Sequence, residues 1–164
     1  MRAESSPSAV RLCIARVSGV MIGVDATASR GVIEVERLTR VPGAPPHVLG
    51  LCMARDALVP LVDPASHLGL LHASTVAASA APQLGLRLCA SADDGLLEAA
   101  LRVDAVIDLA TANPGDRLPA DDGGAPAALV AYTRHRCRHA RGTVHVLDAE
   151  RLLHDLRPAA DAAR

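Results

Sequence analysis

The chain has 164 residues, half of them apolar, with 17 basic and 18 acidic side chains and a formal net charge of −1. That is enough apolar content to bury a real core as one domain or two small lobes, which excludes a disordered tail. The interspersed charges form no basic field able to hold a nucleic-acid backbone or an anionic bilayer.

Residues 1–7 read as a disordered tail. The opening MRAESSPSAV lacks the apolar stretch of a signal peptide. No later run approaches the roughly 18 apolar residues of a spanning helix, so a cytoplasmic location is expected. Val10 to Val17 and Val20 to Val24 are short apolar runs around Ser18-Gly19, which reads as a β-hairpin. The next stretch is ambiguous: Asp25 can cap a short helix through Arg30, and Val32 to Glu36 fits a strand or a helix end. Val41 to Pro46, with three prolines and a glycine, reads as a rigid surface connection. Val48 to Met53 and Leu58 to Val62 are the strands of a second hairpin whose turn holds Arg55 and Asp56, and Pro64 to Leu71 predicts a brief helical turn.

Small, low-complexity residues at 72–82 read as a linker. Beyond it, Leu84 to Cys89, a turn at Asp93-Asp94-Gly95, Leu96 to Leu101 and Val103 to Leu109 again read as strand, hairpin and strand. Thr111 to Pro126, rich in Pro, Gly and Asp, has the length of a functional or disordered loop and reads as an insertion. Leu129 to Thr133, the basic stretch TRHRCRHAR and Val144 to Leu147 complete the second lobe. A terminal helix over Ala149 to Leu156 carries Leu152, Leu153 and Leu156 on one face. Residues 158–164 read as a tail.

The two halves repeat each other. Arg87-Leu88-Cys89 echoes Arg11-Leu12-Cys13, and residues 144–156 replay 59–70. Many short strands in two similar halves predict an all-β fold of two SH3-like, five-stranded barrels with a few short helices. The expected lobes are about 8–71 and 83–157 within one domain spanning 8–157. Tyr132 is the only aromatic residue among Phe, Trp and Tyr, so Val, Leu, Ile, Ala and Met must fill the core, each large one contributing about 1.5–3 kcal/mol. Stacking on a base or cofactor has almost nothing to use, and no cofactor is implied. Cys13, Cys52, Cys89 and Cys137 form no CxxC and read as small buried hydrophobes.

Several patterns carry chemistry in principle. His135, Cys137 and His139 alternate, so on a strand they share a face and are a weak candidate for zinc or copper. Four arginines crowd the same segment and repel a divalent cation, which favours a solvated basic hairpin. Asp63 and Asp148 end equivalent strands, and each precedes a helical segment, so N-capping explains them better than paired-carboxylate catalysis. No nucleophile elbow, Walker loop, HExxH or GxGxxG occurs, and the chain does not read as an enzyme.

Residues 41–70 carry the most specific signal. VPGAPPHVLG followed by MARD and LVPLVD resembles the CheW-like adaptor family, whose members run through a Pro-Gly-Pro loop, a Gly, an Asn-Leu-Arg-Gly hairpin and a Pro-Val-Val-Asp strand. VDAVIDL at 103–109 is similar to the family's Val-Asp-x-Val-x-Asp/Glu-Val stretch, and Leu147 to Leu153 resembles its closing strand and helix. The likeness covers about residues 8–157. It implies a non-enzymatic scaffold that couples the cytoplasmic tip of chemoreceptors to the regulatory domain of a CheA-type histidine kinase, in chemotaxis or in a pilus-motility or other chemosensory pathway.

Carried onto this chain, the resemblance implies that Arg55 is the hairpin arginine, Gly50 opens its strand, and Glu34 is the acidic residue between Val32 and Val35 in a protein-binding site. A guanidinium at a hairpin tip suits carboxylates on a partner helix, and Arg is enriched among interface hot spots. Without the motif, Arg55 would read as a solvated turn residue. Glu34 reads either as orienting Arg55 through an ion pair or as a solvated charge. Met53 and Asp56 replace the family's Asn and Gly, so the turn loses the residue that takes positive φ without strain. With no aromatic anchors, binding to each partner is expected to be about micromolar and reinforced by multivalency.

Overall fold

β1 (Val10–Val17) and β2 (Val20–Asp25) form the expected hairpin, closed by Ser18 (φ 47) and Gly19 (φ 83). Leu12 and Ile14 pack into one apolar cluster while Cys13, Ala15 and Val17 pack into another. A strand buried on both faces reads as a continuous apolar run, which is why the sequence here does not alternate. The computed structural model describes residues 8–55, 57–70, 83–93, 95–120 and 123–157. The two predicted tails, the linker at 72–82, and Leu71, Asp56 and Asp94 lie outside the described residues.

After Asp25 the chain makes a turn, not the short helix its capping chemistry allowed. The Asp25 carboxylate accepts from the Thr27 backbone N–H (2.9 Å) and hydroxyl (2.7 Å), and β3 (Ser29–Val35) follows at once. Here Asp turns the chain by mimicking a backbone turn with its side chain. β4 (Val48–Ala54) and β5 (Ala57–Val62) make the second hairpin. β6 (Gln83–Ala92), β7 (Gly95–Val103) and β8 (Ala105–Ala112) follow.

The segment expected to be a long loop is largely built. β8 runs to Ala112, a 3-10 turn spans Pro114–Asp116, and β9 (Arg117–Leu118) pairs with β10 (Thr133–His139). Leu129 to Tyr132, placed in the second lobe from sequence, belong to helix α1 (Ala127–Tyr132), which starts behind Pro126 and is rich in alanine. β11 (Gly142–Leu147) and helix α2 (Ala149–Leu156) close the chain.

The strands form two curled sheets, in the orders β8-β1-β2-β11-β10-β9 and β3-β6-β7-β5-β4. This is the two-barrel, SH3-like architecture expected from the sequence. The sequential lobes 8–71 and 83–157 are not, however, the two sheets. The five-stranded sheet is one stretch, 29–103, set between β2 and β8 of the other. Only one residue, Asp104, separates β7 from β8, too few for a hairpin loop. Its N–H bonds the Arg16 carbonyl at 2.8 Å, and β8 pairs with β1.

The repeat itself is real. β1 and β6, carrying the Arg-Leu-Cys triplets, hold the second place in their sheets, and β11 and β5 the fourth. In each sheet the second and fourth strands flank a third to which the fourth is parallel: β11 to β2 and β5 to β7. The extra strand of the larger sheet is β9, drawn from the predicted insertion.

Each sheet encloses its own small cluster, and a larger core lies between them. Ile22 and Val24 of one sheet meet Leu86, Leu88 and Leu101 of the other there, with Leu152, Leu153 and Leu156 of α2 laid into the same core. All four cysteines are buried, as expected of small hydrophobes.

Both aspartates accept the backbone bond expected of a cap, Asp148 at the start of α2 and Asp63 ahead of a turn at 65–69 that is not a helix. Asp63 accepts from the Ala65 N–H at 3.0 Å and pairs with Arg102 at 3.0 Å, and Asp148 accepts from the Arg151 N–H at 3.1 Å. Burial alone would raise the Asp148 carboxyl, but the Arg151 N–H and the Arg134 guanidinium outweigh it and hold the acid below its ordinary range. A depressed folded-state value makes the cap's contribution present at neutral pH and lost as pH falls below about 4. Asp148→Ala is therefore expected to cost about 1 kcal/mol at pH 7 in denaturant titrations. At a pH well below that range the difference from the parent should fade.

Candidate functional site

The β4–β5 hairpin puts its pleat to two uses. Cys52, Ala54, Val59 and Leu61 face the interior of the five-stranded sheet, while Met53 and Leu58 are paired in register outside and are 59% and 64% exposed. Half-buried Leu51 and Pro60 extend that outer strip. Ala54 pairs with Ala57, so the turn has two residues, and Arg55 occupies its first position with φ 59. A left-handed conformation costs a residue with a Cβ roughly 1–2 kcal/mol. Arg55 thus stands exposed and strained at a tip flanked by apolar side chains. Strain at an exposed residue is a pointer to function when the surrounding structure over-determines it. Met53, read from sequence only as a departure, is part of this surface.

Gly50 serves the scaffold. A Cβ there would lie 2.6 Å from the Thr39 carbonyl oxygen and 2.9 Å from Leu38 Cγ, at φ 153. Thr39 and Leu51 exchange backbone hydrogen bonds of 2.9 and 2.8 Å across this contact. The glycine lets the segment after β3 lie against β4, which anchors the base of the hairpin that ends in Arg55.

The β3 residues divide. Val32 and Glu34 are exposed, whereas Val35 is buried with Cys52, Ala54 and Val59. Val35 is therefore a core residue. Val32, 41% exposed, joins Val106, Ile107 and Leu109 of β8 in lining a groove of about 470 Å³ between the two sheets, with Arg11 and Asp108 also on its wall. Val106 and Leu109 were read from sequence only as part of the stretch 103–109 and not as site residues, since their place beside β3 depends on β8 crossing to the other sheet. Among the described residues neither Glu34 nor Arg55 has an ion-pair partner, and both side chains are exposed.

His135, Cys137 and His139 do not converge as metal ligands. Cys137 packs with Leu12, Ile14 and Val144 inside the six-stranded sheet, where burial and then the Asp116 charge push its thiol up. His139 Nε2 meets the Asp108 carboxylate at 3.1 Å, which ties β10 to β8. This hydrogen bond is the main reason the Asp108 carboxyl is held below its ordinary range. Burial, then the Arg117 and Arg134 charges, push the His135 imidazole down. Among the described residues no group of three His, Cys, Asp or Glu side chains is placed to hold a metal ion.

Among the described residues no helix is long and apolar enough to cross a membrane. Among curated proteins no sequence matches the chain. A solved structure, the scaffolding protein TtCheW from Thermoanaerobacter tengcongensis, is similar in fold, with a TM-score of 0.69 at 14% identity over 88% of this chain and 92% of that one. At that identity the likeness speaks for the fold alone. Residues 11–157 match the sequence family described as CheW-like domain. With nearly its whole length inside that match and the two-sheet architecture alongside, the chain belongs to the CheW-like family.

Proposed function

We propose that this protein is a cytoplasmic, non-enzymatic scaffold that couples the tip of a chemoreceptor to the regulatory domain of a CheA-type histidine kinase. Family membership supports a chemotaxis scaffold or adaptor. The finer reading rests on one observation: Arg55, with φ 59, is held exposed at a hairpin tip between the exposed pair Met53 and Leu58. A planar guanidinium beside apolar side chains suits a partner helix that offers carboxylates next to aliphatic residues. Val32 and the groove it lines lie on the same β3 strand as Glu34 and supply a second apolar contact.

The test separates the two partners. Arg55→Glu is expected to weaken binding of a receptor cytoplasmic fragment about tenfold or more, the loss typical of a hot-spot arginine. Binding to the isolated kinase regulatory domain should change less than about twofold, and both parent affinities should be about micromolar. Arg55→Gly should likewise lose receptor binding while gaining about 1 kcal/mol of stability, because glycine accepts this φ without strain. Absence of any binding to kinase or receptor by the parent protein would sink the proposal. A parallel loss of both partners in Arg55→Glu would reassign the site.

A further inference from the structure

A second polar surface lies at one end of the six-stranded sheet, on strands other than the Arg55 hairpin. β2 and β11 are parallel neighbours with His145 opposite Ile22, so both strands begin at the same end. The β1–β2 turn at Ser18-Gly19 and the β10–β11 turn at Ala140-Arg141 are thereby brought together. Between them lies an open cleft of about 490 Å³, with Arg16, Arg141, Thr143 and His145 on its walls and glycine backbone at Gly19 and Gly142. Gly142 lies against Met21, whose Cε is 3.0 Å from where a Cβ would stand, so the floor of the cleft is fixed by packing.

The two guanidiniums are what set this cleft apart. Of the other basic side chains on these strands, Arg134 is engaged with Asp148 and Arg136 with the Pro119 carbonyl, while Arg11 and Arg138 stand exposed outside this cleft. Neither the Arg16 nor the Arg141 side chain has a hydrogen-bond or ion-pair partner among the described residues. Asp108, near enough to feel the Arg141 charge, is taken up by His139. Two cations in one cleft, with no carboxylate bound between them among the described residues, leave a position whose natural occupant is an anion with several acceptor oxygens.

We propose that this cleft binds an oxyanion, a phosphate or carboxylate group, bridged between Arg16 and Arg141. The recognising chemistry is charge-assisted hydrogen bonding from two forked donors, with the Thr143 hydroxyl and the turn backbones alongside. Such a site would take the anionic group of a small metabolite or of an acidic protein segment without involving Arg55.

Amide spectra of the full chain, recorded with inorganic phosphate or with citrate against sodium chloride of equal ionic strength, test the proposal. Saturable millimolar shifts at Gly19 and Gly142 are expected with at least one of the two anions. A response to phosphate alone assigns a phosphoryl ligand, and a response to citrate alone assigns carboxylates. The shifts should disappear in Arg16→Gln with Arg141→Gln and persist in Arg138→Gln, an exposed arginine outside the cleft. Should the double variant fail to fold, Arg141→Gln alone, at an exposed turn, decides: it must lose most of the response. No shift with either anion, or shifts indifferent to these arginines, would overturn the site.

Discussion

Leu152→Ala is expected to lower the thermal unfolding midpoint by about 5–15 °C, measured by circular dichroism or calorimetry. Leu152 is fully buried in the core shared by both sheets and α2. Truncating a buried leucine costs about 2–5 kcal/mol, the lost transfer energy plus the cavity left behind. For a chain of this size each kcal/mol moves the midpoint by about 2–4 °C. The chemistry of the core makes the upper half of that range the better expectation. Apart from Tyr132 at its edge, the cluster holds only aliphatic and thiol side chains, and no large ring can swing in to refill the space. Because residues of both sheets line the same cluster, unfolding should remain a single transition in the variant. A loss below about 1 kcal/mol would mean that α2 is not part of a common core. Two resolved transitions would mean that the sheets hold themselves up separately.

Gly50→Ala is expected to cost about 2–5 kcal/mol, because a new Cβ meets a backbone carbonyl that cannot rotate away and the residue sits at a φ which side chains rarely adopt. A comparison isolates the two causes. Gly31 also has positive φ, 100, but nothing lies within 4 Å of its absent Cβ, so Gly31→Ala should pay only for conformation, roughly 1–2 kcal/mol. Hydrogen exchange gives the local signature: in Gly50→Ala the amides of Thr39 and Leu51, bonded to each other's carbonyls, should exchange faster than those of β6 and β7. Folded Gly50→Ala protein should keep its affinity for a receptor fragment. If it instead kept its stability and lost the receptor, the glycine would be a contact surface and not a support.

Much of the fold was legible because its signals are local. The hairpins at Ser18-Gly19 and at Arg55-Asp56 announced themselves by apolar runs broken at turn residues, and the Asp148 cap with the Leu152, Leu153, Leu156 face placed α2 over 149–156. The repeat was legible as well, since β1 and β6, and β5 and β11, do occupy equivalent places. Strand partnership was not, because it is decided by where a strand goes after its turn. The single residue between β7 and β8 was the available clue, and missing it produced lobes divided at the wrong place. Asp25 misled for a different reason: the carboxylate that caps a helix also closes a turn on Thr27, and the residues beyond it settle which.

At the candidate site, the placement of residues along the strands was legible while their exposure was not. Arg55 stands at the tip as the motif implied, but Val35 turned inward because β3 alternates and its inner face closes the five-stranded sheet. The strip of Met53 and Leu58 could have been read from phase alone: Met53 falls between Cys52 and Ala54, which face the interior, so it must face out. Gly50's contact with Thr39 is not inferable from spacing, since it joins two segments separated by the proline-rich connection.

The nesting of one sheet within the other also sets an order of events at the ribosome. Strands β3 to β7 emerge consecutively, so the smaller sheet has all its members once Val103 is made. The first hairpin is synthesised earlier yet must wait longer, because Val10 pairs with Ala112 and Gly23 with Val146. Until then Leu12, Ile14 and Ile22 have no finished interior to enter, and such long-range closure is slow and exposes apolar surface to neighbours. A hairpin made before the smaller sheet is thus among the last elements to be fully housed, and nascent chains halted before β10 are the ones most in need of a chaperone.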